Sequence, residues 1–163
     1  MNRKLVAACA VVLSALPLAA SAQEAPAGPS QDAGWHNAQQ AALASRQASD
    51  GWGWLEGGVL WRRVAGSGTG PRPTLDDTVT LHYAGTFIDG AEFDSSYGRG
   101  EPATFPLRAL IRAWQLAVPQ MGVGDTIEIA APATLAYGPI GRGPIPGGAT
   151  LLFRIELLAI PSQ

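Results

Sequence analysis

Val79-Thr80-Leu81-His82-Tyr83-Ala84 places Val79, Leu81 and Tyr83 on one face and Thr80 and His82 on the other. A period of two is the signature of a strand with one buried side. Downstream, Asp89-Gly90 separates Thr86-Phe87-Ile88 from Ala91-Glu92-Phe93 and predicts a type I′ hairpin. Thr126-Ile127-Glu128-Ile129 alternates again, and Leu151, Phe153, Ile155 and Leu157 form the inner face of a last strand whose Arg154 and Glu156 point outward. Upstream, residues 59–64 read as a first strand that leaves through Gly66-Ser67-Gly68-Thr69-Gly70-Pro71. Every linkage but one is a hairpin or a short loop, so the sheet is antiparallel.

The exception is residues 107–118. Leu107, Leu110, Ile111, Trp114 and Val118 recur at helical spacing, with Arg108, Arg112 and Gln115 on the opposite side. This predicts one short amphipathic helix covering the apolar face of the sheet, a two-layer α+β domain.

Composition separates that domain from what precedes it. Asn2-Arg3-Lys4, the apolar run 5–18 and Ala20-Ser21-Ala22 before Gln23 have the layout of a secretory signal peptide, residues 1–22, with cleavage after Ala22. The apolar run is too short for a membrane span, which needs about 20 residues, so the expected location is periplasmic or secreted, without stable membrane insertion. Residues 23–56 read as a flexible leader whose part 34–49 has loosely helical spacing; that helix is expected to dock on the domain or to pair two copies into a homodimer. The domain itself is expected over 57–160.

Removing Arg3 and Lys4 leaves nine basic residues, all Arg, against thirteen acids, a net charge of −4. Such a chain has no electrostatic case for nucleic acid. The only Cys, Cys9, lies in the signal segment, so stability must come from packing rather than disulfides.

Most catalytic constellations fail on residue type. Of the two histidines, His36 lies in the tail and His82 on the outward strand face, so no serine has a base in reach. Metal-ligand spacing is missing. The glycine-rich run 66–70 leads to Pro71-Arg72-Pro73 and a strand, not to a helix that could cradle phosphate. No cofactor or metal is expected. What remains is aromatic: Tyr83, Phe93, Phe105, Trp114, Tyr137 and Phe153 come from elements around one helix–sheet interface. From spacing alone they could be plain core, but Tyr137 lies in Ala136-Tyr137-Gly138-Pro139-Ile140-Gly141-Arg142-Gly143-Pro144, a loop that suits the mouth of an apolar pocket.

The motifs Val79-Thr80-Leu81-His82-Tyr83-Ala84-Gly85, Asp89-Gly90-Ala91-Glu92-Phe93-Asp94-Ser95-Ser96, Leu110-Ile111-Arg112-Ala113-Trp114, Met121-Gly122-Val123-Gly124, Ala136-Tyr137-Gly138 and Ala149-Thr150-Leu151-Leu152-Phe153 stand in this order over residues 57–160. In this they resemble the FKBP-type peptidyl-prolyl cis-trans isomerases, in particular their exported bacterial members. The resemblance implies a curved antiparallel sheet of five to six strands wrapped around one short helix. It also implies a proline pocket with Trp114 as floor, Tyr83, Phe93, Ile111, Ile145 and Phe153 as walls, Asp94, Leu110 and Tyr137 at the rim, and Arg99 beside the aspartate; Phe105 joins the substrate-binding set.

Prolyl isomerisation makes and breaks no bond, so the lack of nucleophile and metal is what such chemistry expects. The barrier of about 18 to 20 kcal/mol comes from partial double-bond character, and an apolar site lowers it by preferring the less polar twisted imide. The implied partners are proline-containing unfolded or partly folded polypeptides and macrolides such as tacrolimus. Ala103, where well-known members carry an aromatic residue, should open one side of the pocket, and Pro146-Gly147-Gly148 departs from the usual rim loop. A chaperone that holds chains without isomerising them is the alternative reading, supported by Trp35, Trp52 and Trp54 in the tail.

Overall fold

The computed structural model describes residues 31–163; the expected signal peptide and the first part of the leader lie outside them. Helix α1 (Ala33–Ala44) is followed by β1 (Gly53–Trp54), β2 (Leu60–Ala65), β3 (Thr78–Thr86), β4 (Glu92–Ser95), the single turn α2 (Ser96–Arg99), β5 (Ala103–Pro106), α3 (Arg112–Ala117), β6 (Thr126–Ala131), the two-residue strands β7 (Gly141–Arg142) and β8 (Ile145–Pro146), and β9 (Leu151–Ala159). The main sheet runs β1-β2-β6-β9-β3-β4, with β5 on the first half of β3, and all its pairings are antiparallel. It has seven strands rather than five or six, because the pair Gly53–Trp54 from the tail extends its edge along Trp61 and Leu60.

Register follows the alternation. Leu81 opposes Leu157, Tyr83 opposes Ile155 and Gly85 opposes Phe153. Leu81, Ile127, Leu151, Ile155 and Leu157 are fully buried, and Trp114, Ala117 and Val118 close over them from the helical side. Burying side chains of this size stabilises by about 1.5 to 3 kcal/mol each. Gly85 has a positional reason: a Cβ there would stand 2.6 Å from the Phe93 ring and 3.0 Å from that of Phe153, so only glycine lets both rings reach the same face.

Two local expectations are corrected. The 107–118 segment is not one helix. A 3-10 turn at Leu107–Ala109 gives way to extended backbone at Leu110 (ψ 169°) and Ile111 (ψ 151°) before α3 begins. The Gln115 side-chain amide fastens the break by donating to the carbonyls of Arg108 and Leu110 at 3.0 and 2.7 Å. The hairpin after β3 is not type I′, which requires positive φ at both central residues. Only glycines have positive φ among the described residues, and here that is Gly90 (φ 88°). Phe87 accepts from the Gly90 N–H and donates to Ala91, the pattern of a type I turn followed by a left-handed glycine.

Helix α1 packs against the sheet domain. Asp32 caps its start by accepting from Trp35 N–H at 2.9 Å. Gln39, 4% exposed, accepts from Thr150 N–H through its side chain at 2.9 Å, and its backbone carbonyl accepts from the Thr150 hydroxyl at 3.2 Å. Among the described residues no helix is long and apolar enough to cross a membrane.

Candidate functional site

A cavity of about 250 Å3 opens between β3, β4, β9 and the 107–118 segment. Trp114 forms its depth at 4% exposure. Its indole stands edge-on to Tyr83 (centroids 5.3 Å) and perpendicular to Phe153 (5.4 Å, 90°), while Phe93 meets Phe153 at 5.7 Å and 89°. Edge-to-face contacts are the favoured geometry for ring pairs, so each ring fixes the next. Phe105 stands 6.3 Å from Tyr83. The break at 110–111 brings Leu110 and Ile111 to the lining and leaves the Ile111 N–H without an acceptor among the described residues. The Trp114 indole N–H is enclosed and likewise has no acceptor there.

A carboxylate stands at the edge. Asp94 accepts from the Tyr83 hydroxyl at 2.5 Å and pairs with Arg99 at 2.5 Å, and Arg99 also donates to the Tyr83 oxygen at 2.8 Å. Burial alone would push the Asp94 carboxyl up; the hydrogen bonds from Tyr83 and Arg99 outweigh it and hold it below the usual range. Burial, then the bond to Asp94, pushes the Tyr83 hydroxyl up. Tyr83 therefore stays a neutral donor and Asp94 an anion.

Of the residues singled out from sequence, Tyr83, Phe93, Asp94, Phe105, Leu110, Ile111, Trp114, Tyr137 and Phe153 line the cavity. Arg99 does not, and acts on Asp94 and Tyr83 from outside. Ile145 is 7% exposed in the core cluster and is not part of the lining. Ala109 and Arg142 are, and were not foreseen. Alanine carries no chemical signal, but Arg142 is the only charged residue between Ile129 and Phe153, a mark that could have found it. His82, on the other face, bonds Ser96 Oγ at 2.9 Å and stacks on Tyr97. The described residues contain no group of three or more His, Cys, Asp or Glu placed to hold a metal.

The family model for the FKBP-type peptidyl-prolyl cis-trans isomerases matches residues 70–158. An FKBP-type isomerase named FkpA from Aeromonas hydrophila is 46% identical over 118 residues, which is 72% of this chain and 44% of that protein. FK506-binding protein 2 of Aspergillus fumigatus is 48% identical over 92 residues, 55% of this chain and 69% of that one. A crystal structure of a peptidyl-prolyl cis-trans isomerase from Pseudomonas syringae superposes with TM-score 0.73 at 31% identity, covering 82% of this chain and 98% of that one. The chain spans about half the length of the bacterial relatives it matches.

Proposed function

The chain belongs to the FKBP-type peptidyl-prolyl cis-trans isomerase family, and we propose that it accelerates X-Pro isomerisation in exported polypeptides through the aromatic cavity. The observation that carries this reading is the enclosure of one small apolar space by Tyr83, Phe93, Trp114 and Phe153, beside the Ile111 and Trp114 N–H groups, which have no acceptor among the described residues. A proline ring fits among Trp114, Phe93 and Phe153, which bind it by apolar contact. Tyr83 and Ile111 enclose it. The Ile111 N–H and the Tyr137 hydroxyl donate to the substrate's carbonyls. Twisting the imide removes its resonance and much of its dipole, so a dry site binds the twisted form more tightly than either planar form. Asp94, tied to Tyr83 and Arg99, orients the Tyr83 ring.

This rotamase activity is assigned to residues 57–160, with 33–54 as an accessory segment. Export rests on the signal-peptide layout of residues 1–22, and macrolide binding on the same cavity and on the relative named for FK506. Helix α1 engages its one buried polar side chain on its own chain's Thr150, which favours a monomer over a homodimer through this segment; sedimentation equilibrium checks that. The family match favours isomerisation over holding without catalysis.

The test is a protease-coupled assay on a proline tetrapeptide, with and without tacrolimus. Phe93→Ala combined with Trp114→Ala is expected to abolish acceleration, and tacrolimus to inhibit the parent protein. Unchanged isomerisation in a folded double variant sinks the proposal.

A further inference from the structure

A second and larger cavity, about 450 Å3, lies on the other face of the sheet and is lined by groups the isomerase reading does not use. Its charged lining is Arg46, Arg62, Arg154 and Glu128, its aromatic wall is Trp52, and Ala84 and Leu152 give it an apolar floor. We propose that this cavity binds a carboxylate borne on an apolar group, as at the free end of a polypeptide or in a small organic acid.

Three guanidiniums and a single carboxylate line it, in a chain that is negative overall. Glu128 is fully engaged: one oxygen accepts from Arg62 Nε and Nη2 at 2.9 and 2.8 Å, and the other faces Arg154 Nη1 at 3.4 Å. Holding the sheet together at this point needs no more than that. Arg46 and Trp52 are surplus to it. Arg46 and Arg62 both stack on the Trp52 ring, with guanidinium carbons 5.1 and 4.8 Å from its centroid, which orients their planar forks. Arg46 donates Nη1 to the Ala42 carbonyl at the end of α1, while its Nε–H is enclosed with no acceptor among the described residues. Burial lowers the Arg46 pKa, Glu128 offsets that in part, and Arg62 adds to the lowering, so an added anion would relieve a crowded positive site.

The choice of anion follows from the rest of the wall. Arginine forks match a carboxylate two bonds at a time, and the floor of Ala84 and Leu152 gives an apolar stem somewhere to lie; inorganic phosphate has no such stem. The volume falls within the usual range for small-ligand sites, about 300 to 1,000 Å3.

The test follows the Trp52 indole N–H resonance by NMR in the full chain, assigned with Trp52→Phe. The probes are acetyl-Ala-Leu with a free carboxylate, the same dipeptide as its amide, 4-methylpentanoate and inorganic phosphate. Both acids are expected to shift the resonance saturably, less so as salt is raised, and the amide to leave it alone. Tighter binding of the dipeptide acid assigns the site to polypeptide ends; equal binding by 4-methylpentanoate assigns it to small acids. Arg46→Met and Arg154→Met should each weaken binding about tenfold or more, the loss of one charge-assisted hydrogen bond. If Arg46→Met does not fold, Arg154→Met decides, because that side chain is half exposed on the outward face of β9. The proposal is overturned if the amide shifts the resonance like the acid, if phosphate binds as tightly as the acids, or if folded Arg154→Met keeps the parent affinity.

Discussion

Two cavities occupy opposite faces of β9, and Phe153 lines both. The inner one is made of rings that hold one another edge to face around Trp114. The outer one is made of guanidiniums placed by one carboxylate and by an N-terminal segment that folds back over the sheet. The difference is one of physical origin. Apolar packing is dense and short-ranged, so the inner site should fail when volume is removed. The outer site should fail when a charge or the docking of residues 33–52 is lost, and each should survive the other's damage.

Trp114→Ala tests the first half most severely. It empties a position 4% exposed between Tyr83 and Phe153, and about 3 to 5 kcal/mol of stability should disappear in a denaturant titration, as for other buried Trp or Phe truncations, together with isomerase activity. Arg46→Met should cost less stability than Trp114→Ala and leave isomerisation intact. Comparable losses in the two variants would erase the distinction.

Gln39→Ala addresses the docking of α1. It leaves the buried Thr150 N–H without its acceptor, at a cost of about 1 to 3 kcal/mol. Isomerase activity should stay close to that of the parent, whereas carboxylate binding in the outer cavity should weaken, because Arg46 and Trp52 are carried by the segment that α1 anchors. A proportional fall of both functions would show the faces to be coupled through the sheet. Glu128→Gln is milder. The Arg62 and Glu128 side chains are 34% and 30% exposed, so after allowance for solvent screening the change should stay below about 1 kcal/mol, and it should shrink further in high salt.

The same contrast explains what could be read from the residues alone. Alternation in β3 and β9 is a direct record of burial, and Leu81, Tyr83, Phe153 and Ile155 stand where a period of two puts them. Helical spacing over 107–118 also recorded the burial of Leu107, Trp114 and Val118, whereas Leu110 and Ile111 are half-buried at the cavity. It could not record the backbone break at Leu110 and Ile111, because periodicity reports which side chains are covered and not the φ/ψ that covers them. The aromatic lining was legible because its residues sit in ordered motifs. Ile145, expected as a pocket wall from the resemblance, instead sits in the core cluster as part of the short β7–β8 pair, and its pair partner Arg142 lines the cavity. The outer cavity left no local trace. Arg46, Trp52, Arg62, Glu128 and Arg154 are scattered over more than a hundred positions and meet only after β2, β6 and β9 have paired and the chain before them has folded back.

The smallest stability effect should come from Asp94, the one charge on the inner face whose role is open to a sharp test. Its side chain is 45% exposed and that of Arg99 47%, so Asp94→Asn should cost less than about 1 kcal/mol in folding. The native carboxyl is held below its ordinary value. Any stability it adds is therefore present above the unfolded pKa, about 3.9, and is lost only as pH falls through the still lower native value. Between pH 5 and 8 neither stability nor isomerisation should vary through this group. The activity effect separates two roles. If Asp94 acts by fixing the Tyr83 ring through the 2.5 Å bond, then Tyr83→Phe and Asp94→Asn remove the same interaction, and the double variant should be no slower than the slower single one. If the carboxylate instead faces the substrate directly, the two losses multiply, and a double-variant cycle on the proline tetrapeptide would show free energies that add. The bond pattern, in which both Asp94 oxygens are taken up within the protein by Tyr83 and Arg99, predicts the first outcome.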